Sequence, residues 1–92
     1  MDLGDLATAA LATRPPGSDL LVVAAELGFR LLPCEAGAPE TRTTADRLVF
    51  AADEGQAASV CRALARGLLL RAGEPVTPEA VLAVARALHK IP

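Results

Sequence analysis

Arg62 and Arg66 stand four residues apart in Arg62-Ala63-Leu64-Ala65-Arg66, shortly after the strand-like run Arg47-Leu48-Val49-Phe50-Ala51. On a helix, positions i and i+4 are neighbours on one face, and two histidines at that spacing grip zinc. Arginine does not, because its guanidinium has no acceptor lone pair and stays protonated. A hydrolytic zinc site needs three protein ligands, an open position for water and a base. The chain holds one histidine, His89, which at a helix end reads as solvated rather than ligating.

Other reactive arrangements are equally sparse. Ser18 and Ser59 have no histidine in a plausible partner position, and the glycines form no phosphate-cradling motif. Asp53 and Glu54 are adjacent carboxylates in a turn sequence, so they point apart rather than facing each other as acid and base. Cys34 and Cys61 lie outside any C-x-x-C spacing, and each reads as a free thiol.

The composition limits the partners. Residues 1–92 make a single domain, near the lower size at which one core suffices. Hydrophobic residues are 52% of the chain, but Phe29 and Phe50 are its only aromatics, so stacking on bases is nearly unavailable. With 9 basic against 11 acidic side chains, no excess positive charge remains for a phosphate backbone, and nucleic acid is an unfavoured partner. Arg, Glu and Gly interrupt the apolar runs before the ~20 residues a bilayer crossing needs, so no membrane span is expected. No secretory signal is evident, and the expected location is cytoplasmic.

The elements that position these residues follow from periodicity and punctuation. Leu3, Leu6, Ala7, Ala10 and Leu11 recur at helical spacing within a first helix over 2–13, stopped by Arg14-Pro15-Pro16-Gly17. Ser18 or Asp19 caps a second helix from Leu20 to about Leu27, with Gly28 placed for a left-handed C-terminal cap. A brief strand over 29–32 stops at Pro33, with Phe29 and Leu31 on one side. Residues 34–45 read as a surface loop with a frayed strand at 41–44. Residues 47–52 form the second strand, and Asp53-Glu54-Gly55 turns it into a helix over 56–72 whose apolar stripe is Ala57, Val60, Cys61, Leu64 and Leu68. Gly73 closes that helix. Thr77-Pro78-Glu79 starts the last helix, 78–90, which is expected to bury Val81, Leu82, Ala85 and Leu88. The expected fold is α+β, a small antiparallel sheet of two or three strands covered by about four helices.

From Leu20 to Pro92 this order resembles the ImmA/IrrE family of small HExxH zinc metallopeptidases. Ala24-Ala25-Glu26-Leu27-Gly28-Phe29-Arg30-Leu31-Leu32-Pro33 is similar to the family phrase A-E-x-L-G-I-x-V-x-P, and Arg47-Leu48-Val49-Phe50-Ala51 to a strand of the type x-I-V-V-N. The stretch from Ala58 to Leu69 matches the helix F-T-x-A-H-E-L-A-H-x-L-L, and Ala85 to Pro92 resembles the family's F-A-x-x-L-L-M-P. In that register the two metal-binding histidines are replaced by Arg62 and Arg66 and the general-base glutamate by Ala63, while Glu79 falls near the third ligand position. The resemblance therefore implies a degenerate member, a pseudoenzyme without zinc ligands, catalytic residues or cofactor.

Two functions compete on this reading. The first is a catalytically inactive, peptidase-like domain acting through protein–protein binding in a regulatory role, with a second copy of the chain as one candidate partner. The second is a small DNA-binding transcriptional regulator of helix-turn-helix type, because 78–88 is similar to the last helix of repressor domains, P-x-x-x-x-L-x-x-I-A-x-A-L. An active hydrolase is the residual case. The plain reading of Arg62 and Arg66 is a solvated helix flank; the sharper one is that an arginine fills the space of the lost metal and pairs with Glu79.

Overall fold

A computed structural model of the chain describes residues 3–12, 19–34, 39–52 and 56–90. The expected helix stop at 14–17, the Ser18 cap and the Asp53-Glu54-Gly55 turn lie outside these residues. In chain order the elements are α1 (Leu3–Leu11), α2 (Leu20–Glu26), β1 (Arg30–Cys34), a 3-10 helix (Pro39–Arg42), β2 (Arg47–Ala51), α3 (Gln56–Ala72) and α4 (Pro78–Lys90). The fold is α+β, with a two-stranded sheet among the described residues.

The sheet departs from expectation in direction. β1 and β2 run parallel, with Arg30 opposite Arg47 and Cys34 opposite Ala51. An antiparallel pair is joined by a tight turn, whereas a parallel pair needs a crossover of about a dozen residues. The twelve residues from 35 to 46 supply that length, and 39–42 coil into the 3-10 helix where a frayed strand was expected.

β1 also runs through Pro33 instead of stopping there. The Arg30 N–H donates to Asp46 O and Cys34 O accepts from Ala52 N, so residues 30, 32 and 34 direct their backbone groups toward β2. Pro33 therefore sits on the outward side of the alternation, where its missing N–H costs no ladder bond. On β2 the outward residues are 47, 49 and 51, and nearby loop and helix residues satisfy them. Thr44 N donates to Arg47 O at 2.8 Å. The Thr43 hydroxyl accepts from Val49 N at 3.1 Å and donates to Val49 O at 3.3 Å, and the Ser59 hydroxyl accepts from Ala51 N at 2.7 Å.

The helix ends are set locally, as the residue types require. Asp19 caps α2 by accepting from Val22 N at 3.1 Å. Gly28 and Gly73 both take positive φ, 87° and 71°, and end α2 and α3. At each, paired bonds close the last turn: Gly28 N to Ala25 O with Phe29 N to Ala24 O, and Gly73 N to Leu70 O with Glu74 N to Leu69 O. The Thr77 hydroxyl accepts from Ala80 N at 3.1 Å and caps α4.

One core gathers side chains from α1, α2, β2, α3 and α4. α1 buries Leu6, Ala7 and Ala10 against α4 and α3, so the first helix packs within its own chain. On α4 the buried residues are Val84, Ala85 and Leu88, with Val81 half-buried. Leu82 was expected inside and is instead 49% exposed, because positions 81, 84, 85 and 88 form the i, i+3, i+4, i+7 stripe and 82 lies off it. The Phe29 ring seats against α3 at Gly67, where a Cβ would lie 2.7 Å from the ring. The Arg71 guanidinium stacks 3.7 Å from that ring's centroid, and its Nε donates to Ala45 O at 2.7 Å while Nη1 donates to Leu27 O. This one side chain ties the end of α2 and the loop before β2 to α3.

Candidate functional site

α3 is the central helix and is buried on most of its circumference: Ser59, Val60, Cys61, Ala63, Leu64, Ala65, Gly67, Leu68 and Leu69 are all enclosed. Between residues 58 and 70, what remains open is a narrow line at spacing four, Ala58, Arg62, Arg66 and Leu70. Three of these are exposed and Arg66 is half-buried. Ala63, the position matched to the general base, belongs to the core and is fully enclosed. Its methyl group packs there; it does not face the arginine line.

Beside this line, between α3 and the first turns of α4, lies a recess of about 450 Å3. One wall carries Arg62 and Arg66, the other is apolar with Val76, Pro78, Val81 and Leu82, and Thr41 and Thr77 stand at its margins. The Arg66 Nε is shut off from solvent and has no hydrogen-bond partner. A buried donor left in that condition costs about 1–3 kcal/mol. The amino end of α4 adds little to the positive character, because Pro78 has no N–H and the Ala80 N–H is taken by Thr77. The charged side chains that line the recess are the two guanidinium groups.

Glu79, the fourth residue singled out from the sequence, is exposed on the first turn of α4 and does not line the recess. Among the described residues no ion pair links it to Arg66. A pairing of Glu79 with Arg66 is thus not the arrangement found among the described residues. The side chain of His89 lies outside the described ones. Among the described residues no group of three or more His, Cys, Asp and Glu side chains is placed to hold a metal ion.

The two cysteines are free. Cys61 is buried and its thiol donates to Ala85 O at 3.3 Å, which fastens α3 to α4 beneath the recess. Burial pushes this thiol above its ordinary pKa, with the neighbouring Arg62 charge opposing the rise. Cys34 is half-buried, with the Arg42 Nη1 at 3.9 Å from its sulfur. Among the described residues no helix is long and apolar enough to cross a membrane.

Sequence reasoning missed Leu82 and Val81 as wall residues and Arg71 as a structural clamp. The available signal for Leu82 was its offset from the 81-84-85-88 stripe. Arg71 had none, since its backbone partners lie 26 and 44 residues away. No protein-family model, curated protein or solved structure matches this chain.

Proposed function

We propose that this chain is a peptidase-like scaffold without a catalytic set, whose work is to bind another protein through the face formed by α3 and α4. The observation that carries the reading is the arginine line itself. Between residues 58 and 70 the helix opens along a narrow strip, and that strip sets cations beside an apolar wall. Guanidinium groups cannot serve as ligands to a Lewis-acid metal, but they recognise carboxylates and other planar anions well. Arginine is also enriched at protein interfaces and among the residues that carry their binding energy.

The test compares two exposed apolar positions, Leu82 at the recess and Val22 on α2. A photo-crosslinking amino acid is placed at each in turn, in cells expressing the chain. Residue 82 is expected to give a discrete adduct with one protein and residue 22 to give none. Identical adducts at both positions, or none at 82, refute the reading. In parallel, a fluorescent casein assay with added zinc is expected to show no turnover. Zinc-dependent hydrolysis that persists through repurification would return the chain to the enzymes.

A further inference from the structure

We propose that the recess between α3 and α4 takes an extended segment of the partner protein in which acidic and aliphatic residues alternate. This inference rests on the protein-binding reading above and specifies what is bound. Three observations combine. The walls differ in character, guanidinium on the α3 side and aliphatic on the α4 side. A chain in β conformation directs successive side chains to opposite faces, so one lying between the helices sends alternate residues to each wall. The third observation is length. Arg62 and Arg66 are separated by four helical residues, about 6 Å along the axis at ~1.5 Å each. In an extended chain, residues i and i+2 are about 6.6 Å apart. Carboxylates at i and i+2 thus fall in step with the two arginines, and the aliphatic residue between them meets Val81 and Leu82.

The Arg66 guanidinium lines the recess, and a carboxylate is the anion that engages a guanidinium edge in two-pronged geometry. Inorganic phosphate and nucleic acid fit less well, because four apolar residues would face a wholly polar guest. A small monocarboxylic acid reaches one of the two arginines only. The open line from Ala58 to Leu70 spans twelve helical steps, about 18 Å, which is the span of five or six extended residues.

The experiment is a nuclear magnetic resonance titration of the full 15N-labelled chain with three probes. The first is an end-blocked heptapeptide whose five central residues alternate leucine and glutamate. The second has glutamine in place of glutamate, and the third is sodium hexanoate. The alternating acidic peptide is expected to shift the amides of Arg62, Arg66, Thr77 and Leu82, and the glutamine peptide to bind at least tenfold more weakly. Arg66→Met is expected to reduce the acidic peptide to the level of the glutamine one, with Arg66→Lys intermediate and both variants keeping a dispersed spectrum. Equal binding of the two peptides at this face overturns the inference and leaves the protein-binding reading standing. Hexanoate binding as tightly as the acidic peptide identifies a free acid as the ligand and overturns it too. Peptide shifts confined to another face, or none at millimolar concentration, overturn both.

Discussion

Arg66→Met separates a residue kept for binding from one kept for folding. The arginine is half-buried and its Nε is enclosed without an acceptor, a defect of about 1–3 kcal/mol in the folded state. Methionine retains an unbranched stem of similar reach that can lie against Val81, and it removes the unsatisfied donor. The stem's apolar contacts survive the exchange, so the lost terms are small and the recovered one is not. Stability is expected to stay level or rise by up to about 2 kcal/mol. Urea unfolding followed by circular dichroism measures it, with an unchanged m-value confirming that the transition itself is the same. A loss of more than about 1 kcal/mol would show that the guanidinium is a structural strut, and the functional argument would fail with it. A gain in stability accompanied by loss of peptide binding is the pattern of a site that carries strain for its use.

Three other perturbations test the frame that holds the recess. Gly67→Ala is expected to destabilise by up to about 2 kcal/mol, because a Cβ 2.7 Å from the Phe29 ring opposes the ~1 kcal/mol that alanine gains in a helix. In a Phe29→Leu background the same change is expected to stabilise, and equal effects in both backgrounds would deny the contact. Thr43→Val leaves the enclosed N–H and C=O of Val49 without their hydroxyl partner and is expected to cost about 2–3 kcal/mol by urea unfolding; a cost under ~0.5 kcal/mol would show that water or another group replaces it. Because burial raises the Cys61 thiol's pKa, the unfolded chain loses that proton first as the medium becomes alkaline. Its contribution is constant below the ordinary thiol range and is lost as pH rises through that range toward the native pKa, by at most ~1.4 kcal/mol per pH unit. The wild-type advantage over Cys61→Ala is therefore expected to shrink from pH 7 to 10 in parallel melts, and a constant difference would refute this assignment.

The features legible in the sequence were those decided by near neighbours. Asp19, Gly28, Gly73 and Thr77 each act within a turn of their own position, and each stands where its residue type indicates. The direction of the sheet depends instead on the path of the 35–46 connection, which residue types do not specify. Val84 and Leu82 differ by helical phase: Val84 lies on the 81-84-85-88 stripe that faces α1 and α3, and Leu82 lies off it, a distinction that the shared aliphatic character of the two residues obscures. The arginine pair was legible as a four-residue spacing that puts both side chains on one helix face. That it lies on an open strip of a central helix follows from packing on several sides at once, and Ala63, next to it in sequence, is turned wholly inward for the same reason.

The hydroxyls of Thr43 and Ser59 and the ring of Pro33 have a consequence for how molecules meet. A visiting strand approaching β2 finds its outward amides already engaged, and one approaching β1 finds a single outward N–H, that of Leu31, before the imino acid interrupts the row. Edge-to-edge addition of a further strand is thereby disfavoured along the described residues of both borders.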